Sequence, residues 1–260
     1  MIITNFDRWD GNKFGNKLLG VNNLLQISHF YNQDYDFNHF NGLELFDINT
    51  ETKKYNGEPY ETLNLTDLFN KKNEDIVLDN NIIYYLEPCL GDLFFKFDSI
   101  KTNEIFKFNL ALIPPIKDKV TIAIHFRGKD FHVWNPKSIL SLDYYIEAIN
   151  EFENVKFKLF TDDLSMFTYN EVKKYLTEKG LEYELGDIND LVKDFISMSY
   201  CDGIISAPST FSIAAGFCGK KNKKIIHSKN WVDYQCGKND KFWVGFNNGG
   251  NQNYKKYKLI

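Results

Sequence analysis

From residue 120 to residue 227 two hydrophobic periods take turns along the chain. Val120-Thr-Ile-Ala-Ile-His-Phe126 is a short apolar, β-branched run that reads as a buried strand. From Ser138 to Phe152 the period lengthens, with Ile139, Leu142, Tyr145, Ile146 and Ile149 on one side of a predicted helix. Lys156-Phe-Lys-Leu-Phe160 returns to strand, and Tyr169 to Lys179 reads as a helix closed by Gly180 at its C-cap. Asp190 to Tyr200 is a predicted helix, Gly203-Ile-Ile-Ser206 a strand, Thr210 to Phe217 a helix, and Lys224-Ile-Ile-His227 a last strand. Strands alternating with helices imply α/β architecture, a parallel doubly wound sheet. Such sheets take ligands at the carboxyl ends of their strands. The residues just past those ends are Arg127, Asp162 with Asp163, Ser209 with Thr210, and Ser228.

The first half is less regular. Met1 to Asn5 suits a strand, and Lys17 to Phe30 a helix carrying Leu18, Leu19, Val21, Leu24, Leu25 and Ile27. The Gly/Asn loop Asp10-Gly-Asn-Lys-Phe-Gly-Asn16 lies between them. Leu43 to Phe46, Tyr60 to Leu68, Ile76 to Leu78 and Leu93 to Phe108 allow a second α/β layer. Pro114 and Pro115 interrupt helix and central strand alike. They predict a boundary there, dividing the chain into residues 1–116 and 117–260, with a cleft between facing strand ends. There is no internal repeat and no long low-complexity tract.

Composition narrows the class. Apolar residues at 43% and charged residues at 25% suit a globular protein. A net charge of −4 argues against nucleic acid as a partner, because such binders carry a basic footprint. No apolar run approaches the ~20 residues of a membrane span, and Met-Ile-Ile-Thr-Asn-Phe-Asp-Arg has no signal-peptide layout. Cys89, Cys201, Cys218 and Cys236 form no CxxC pair. A reduced, cytoplasmic enzyme is the expectation, with peripheral membrane association left open. Of 31 basic residues only Arg8 and Arg127 are Arg, and Asn occurs 29 times, a bias that suits an AT-rich genome.

Arg127 directly follows a strand, where a planar, permanently charged fork suits a diphosphate better than a flexible Lys does. A surface ion pair is the plainer alternative. Ala207-Pro-Ser-Thr-Phe-Ser212 joins a strand to a helix, so Ser209 or Thr210 at the N-cap would offer free N–H groups and the positive end of the dipole to a phosphate. Simple capping is the alternative there. His125 on an apolar strand is either a hydrogen-bonded core residue or a ligand contact, and Asp162 and Asp163 either bind a metal or ribose or begin a turn. Asp34-Tyr-Asp36 fits a DxD metal–diphosphate pattern, but Asn32 and Gln33 precede it instead of an apolar strand. HExxH, GxSxG and P-loop patterns are absent from the sequence.

Taken in order, these segments resemble the α-1,2-fucosyltransferases of glycosyltransferase family 11, within the wider GDP-fucose-dependent superfamily. The family's strand ending His-x-Arg-Arg-x-Asp stands here as His125-Phe-Arg-Gly-Lys-Asp130-Phe131, followed by Leu140-Ser-Leu-Asp-Tyr-Tyr145. Phe160-Thr-Asp-Asp163 matches Phe-(Ser/Thr)-Asp-Asp. Met198-Ser-Tyr-Cys201 and Ser209-Thr-Phe-Ser-Ile-Ala-Ala215 match the third motif. Asn12-Lys-Phe-Gly-Asn-Lys17 echoes the N-terminal Gly-Asn-Gln signature. Residues 31–110 carry no resemblance. The sequence departs from the pattern at Gly128, where the family has a second Arg, at Ile213-Ala214, where it has Trp-Trp, and at Lys17.

The resemblance implies a GT-B-like fold of two Rossmann-like domains, an acceptor-side one over residues 1–116 and a nucleotide-sugar-binding one over 117–260. It implies inverting transfer of L-fucose from GDP-β-L-fucose to a sugar hydroxyl of a glycan acceptor, α-1,2 to a galactoside, with no metal and no cofactor beyond the donor. Arg127 would grip the donor diphosphate, His125 and Asp194 would contact guanine, and Ser209, Thr210 and Phe211 would hold the phosphates. Asp162 joins the donor-binding set, Asn16 the acceptor side, and Asp130 is a candidate general base or an anchor for Arg127. Two alternatives remain: transfer of another deoxyhexose such as rhamnose, and a non-catalytic nucleotide- or glycan-binding module.

Overall fold

The strand that carries His125 is buried along its whole length, because parallel strands flank it on both sides and helices cover both its faces. A computed structural model describes residues 1–4, 13–48, 60–63, 82–86, 107–109, 113–114, 119–129, 131–134, 136, 139–187, 190–220, 223–227 and 257–259. In chain order the elements of the first half are β1 (Ile2–Thr4), α1 (Phe14–Phe30), β2 (Tyr35–Phe37), β3 (Tyr60–Leu63) and β4 (Ile83–Leu86). They form a parallel sheet of order β2-β1-β4-β3. The second half holds β5 (Thr121–Phe126), α2 (Phe131–Trp134), α3 (Leu142–Ile149), β6 (Lys156–Thr161), α4 (Phe167–Glu178), β7 (Tyr183–Leu185), α5 (Leu191–Ser199), β8 (Gly203–Ile205), α6 (Thr210–Phe217), β9 (Lys224–His227) and β10 (Tyr257–Leu259).

The second sheet runs β10-β9-β8-β5-β6-β7, all parallel. From β5 the chain winds outward through β6 and β7, then returns to the other side of β5 and winds outward through β8, β9 and β10. The reversal lies between β5 and β8. There the connections leave on opposite faces and open a crevice at the carboxyl ends of the strands.

Most predicted elements appear within a few residues of their expected ends, and the departures have local causes. The helix expected over Ser138 to Phe152 spans only Leu142–Ile149, because Ser141 caps it by accepting the Tyr144 N–H at 3.4 Å. Helix α1 begins a turn before Lys17, which makes Asn16 helical instead of part of a loop. Gly180 closes α4 with φ +66°, the left-handed conformation that suits glycine. Leu43–Leu45 is a single 3-10 turn. Tyr35–Phe37 is a strand whose Asp36 pairs with Ile3, so the DxD tripeptide is part of a ladder. Edge strand β7 escaped the sequence reading because Glu184 and its flanks are half-exposed, with Lys156 and Lys158 paired to Glu184 across the ladder.

Two clusters of buried side chains hold the layers together. One lies under α3 and α4 and includes Tyr145, Phe157, Tyr169 and Val172. The other spans both sheets, running from Phe14, Leu18, Val21 and Leu24 of α1 through Phe46 and Phe108 to Phe195 of α5 and Ala214 of α6. Phe195 meets Phe14 edge-on at 4.9 Å between ring centroids and lies 5.3 Å from Phe211, so one ring joins first-half and second-half elements.

Candidate functional site

The carboxyl ends of β5, β6 and β8 bring the sequence-predicted residues together, and the backbone explains how. Arg127 leaves β5 as the first residue past its last ladder position. Its guanidinium pairs with Asp162 at the end of β6 and lies over the Phe131 ring, 5.6 Å from the centroid. The Asp162 carboxylate also accepts the Gly128 N–H at 2.8 Å, so one acid anchors both the fork and the turn that presents it. Arg127 is therefore held by an ion pair and an aromatic face at once. The ion pair of the plainer reading is thus present, at the carboxyl ends of β5 and β6.

Asp163 turns the other way. It accepts from the Ser165 N–H at 2.9 Å and hydroxyl at 2.6 Å, and its Oδ2 lies 3.5 Å from Nε2 of His132. The Ser165 hydroxyl bond comes first among the causes that hold the Asp163 carboxyl below the usual carboxylate range, with His132 and Lys129 adding to it. Gly128 makes this packing feasible: a Cβ there would fall 2.8 Å from the Asp163 Cβ. The arginine of the resembling motif has no room at that position in this arrangement.

His125 is buried on β5, and its ring lies 5.7 Å from the Phe211 ring. Burial, then the charge of Arg127, pushes its imidazole down to about 3, so it is neutral near pH 7. Its Nδ1 has no hydrogen-bond partner among the described residues. Ser209 is the N-cap of α6 and accepts the Phe211 N–H at 3.3 Å, with Thr210 opening the helix. Ser206 and Ser212 share a hydrogen bond of 2.8 Å, and Ser212 donates to Ser209 O at 3.1 Å. The turn before the helix is thereby held by its own hydroxyls, and α6 begins directly after it, past the end of β8.

Asp194 lies in the first turn of α5 and accepts the Asp187 N–H at 2.7 Å beyond the end of β7. Burial raises its carboxyl to about 6. Asn16 sits in the first turn of α1, next to Gly15, and that turn meets α6. A Cβ on Gly15 would fall 2.6 Å from the Phe211 nitrogen. Asp130, Ser228 and Arg8 lie outside the described residues. Among the described residues no three His, Cys, Asp or Glu side chains are gathered as a metal site, and no helix is long and apolar enough to cross a membrane.

Two residues that frame the site had no role assigned from sequence. Tyr144 donates its hydroxyl to Ser206 O at 2.8 Å, and Tyr145 donates to His125 O at 3.1 Å. Helix α3 thus pins the backbone where β5 and β8 end. The signal was present in the Leu-Ser-x-Asp-Tyr-Tyr segment, whose two hydroxyls, now buried, require partners.

The family model for glycosyl transferase family 11 matches residues 19–247. The chain belongs to that family. Its fold is GT-B-like and is shared with solved structures at low identity. POFUT1 in complex with GDP-fucose aligns at TM-score 0.52 and 11% identity, covering 83% of this chain and 93% of that one. NodZ alpha-1,6-fucosyltransferase soaked with GDP-fucose aligns at TM-score 0.52 and 12% identity, covering 83% and 91%. POFUT1 in complex with GDP aligns at TM-score 0.50 over 91% of this chain and 96% of that one. No curated protein matches the chain. As a family 11 glycosyl transferase, the protein has the carboxyl-end crevice of its second sheet as its candidate active site.

Proposed function

We propose that this family 11 protein transfers L-fucose from GDP-β-L-fucose, with inversion, to a sugar hydroxyl, as an α-1,2-fucosyltransferase acting on a galactoside in glycan synthesis. One observation carries the reading. Arg127 follows β5 and Ser209, Thr210 and Phe211 follow β8, and these two strands are neighbours at the point where the winding reverses. A fork-shaped cation and a helix N-terminus then share one crevice, which suits a diphosphate. The two neighbouring fold relatives were solved with GDP-fucose.

In this reading Arg127 and the α6 N-terminus meet the charge that develops on the departing GDP. Asp162 anchors Arg127 on the donor side, and His125 and Asp194 contact guanine. Residues 117–260 form the donor-binding domain and 1–116 the acceptor-side domain, with Asn16 at the acceptor face. The reaction takes place in the cytoplasm and uses no metal.

The test is GDP release from GDP-fucose, with a panel of galactosides as acceptors. Transfer with a new α-1,2 linkage is expected, and neither transfer nor hydrolysis across the panel overturns the reading. A second donor sugar is favoured by one feature, the closed space at Gly128, which removes a cationic contact. Thermal stabilisation by UDP-sugars and not by GDP would favour that alternative.

A further inference from the structure

Transfer to a hydroxyl releases a proton, and few described side chains around the crevice are free to take it. Asp162 is committed to Arg127 and to the Gly128 N–H. His125 is buried and holds its proton too weakly to compete near neutrality. Asp163 accepts two hydrogen bonds from Ser165 and sits below the ordinary carboxylate range. Asp194 is buried beyond β7 and accepts from Asp187.

His132 differs from all of these. It lies in the single turn α2, one residue past the Phe131 ring that backs Arg127, and its side chain is half exposed. Both the Phe131 and the His132 N–H groups return to Gly128 O, at 2.9 and 3.2 Å, so the turn that carries the imidazole is tied to the turn that carries Arg127. Nε2 faces Asp163 Oδ2 at 3.5 Å. Gly128 leaves open the space through which Asp163 reaches it, since a Cβ there would lie 3.1 Å from that same oxygen. The motif departure at Gly128 and the His132–Asp163 pair are therefore one structural feature.

We propose that His132, oriented by Asp163, is the general base that takes the proton from the acceptor hydroxyl. Nε2 faces the carboxylate without a hydrogen bond in this structure; in the tautomer that carries its proton on Nε2, the imidazole keeps its lone pair on Nδ1. As the acceptor oxygen bonds to the anomeric carbon of the donor sugar, its proton passes to Nδ1. The bond from that carbon to the β-phosphate oxygen breaks, and its electron pair leaves with GDP. Asp163 stabilises the imidazolium, and solvent takes the proton afterwards. Among the described residues, Lys129, Arg127 and Asp162 are the charged groups of the β5–α2 turn and the end of β6 that accompany the pair.

The inference rests on the transferase reading above, and its test separates the two. His132→Gln, Asp163→Asn and the unaltered full-length chain are compared in steady-state transfer and in GDP-induced thermal stabilisation. His132→Gln is expected to lower kcat by ~100- to 10,000-fold, keep the stabilisation by GDP, and lose the acidic limb of the kcat profile. Asp163→Asn should lower kcat and keep the stabilisation by GDP, because the imidazolium formed during transfer loses its counter-charge. Activity restored to His132→Ala by free imidazole would support the assignment independently of folding. A His132→Gln enzyme within about threefold of the original kcat, with the acidic limb unchanged, overturns the inference and leaves the transferase reading standing. An unaltered chain that turns over no nucleotide sugar overturns both.

Discussion

Asp162 holds the guanidinium of Arg127 while accepting the N–H of the very next residue, Gly128, at 2.8 Å. The cation at the end of β5 is therefore fixed from β6, across the strand ladder. A fork fixed in this way approaches a diphosphate without first losing rotamer freedom, which is the condition for electrostatic stabilisation of a leaving group.

Replacing Arg127 by Lys tests that arrangement directly. The charge survives, but the second donor and the flat contact with Phe131 do not. Turnover of GDP-fucose is expected to fall by ~100-fold or more. Near-normal kcat in the Lys variant would remove Arg127 from the mechanism.

The carboxyl of Asp194 titrates at about 6 because it is buried. Only its ionised form can accept two N–H groups from a guanine edge. Affinity for GDP should hold above pH 6 and weaken by up to ~10-fold per pH unit below it. Asp194→Asn should flatten this dependence in a calorimetric titration between pH 5 and 7.5. The same raised pKa disfavours the folded state as pH rises from the ordinary carboxylate range to about 6, so the unliganded Asn variant should lose that slope in melting temperature.

Gly15 lets α1 and α6 touch through their first turns, with the missing Cβ 2.6 Å from the Phe211 nitrogen and the Thr210 carbonyl carbon. Backbone cannot move aside as the end of a long side chain can. Gly15→Val should cost about 1–3 kcal/mol of stability and weaken GDP binding by displacing the α6 N-terminus. Denaturant midpoints and GDP titration would read the two effects separately. Unchanged GDP affinity would show that the helix end tolerates the shift.

Lys223 is buried, and its ammonium donates to Ser199 O at 2.8 Å, to Ala215 O at 2.6 Å and to Cys218 O. These carbonyls end α5 and α6, where the helix dipoles are negative. Burial pushes this amine down to about 7, and through these hydrogen bonds it ties together the C-termini of the two helices that carry Asp194 and Ser209. Lys223→Met keeps the length but orphans the carbonyls, and a loss of about 1–3 kcal/mol is expected in urea unfolding. An unaltered midpoint would show that other donors replace the ammonium.

Much of the second half was legible because its strands are short, continuous and apolar, and its helices are amphipathic. Thr210–Phe217 and Lys224–His227 appear with the very ends that their patterns suggest. Strands β2, β4, β7 and β10 were not legible, and β10 follows Lys224–His227, the strand expected to be last. Their residues mix Tyr, Asp, Glu and Lys with apolar side chains, and such short strands exist through the neighbours they pair with. The candidate site was visible as a set of strand-end residues, but its internal pairing was not. Nothing in the order Thr161-Asp162-Asp163 says that the first acid serves Arg127 and the second His132.

By itself the sequence determined the alternation of strands and helices after residue 120, the motifs at their ends and the family they resemble, because these depend on local period and residue chemistry. Only the tertiary structure decided which strand ends are neighbours, that Gly128 is empty so that Asp163 can reach His132, and that Gly15 brings α1 onto the start of α6. Those relationships join residues that are from 31 to 196 positions apart. They follow from sheet order and close packing, which no stretch of local sequence specifies.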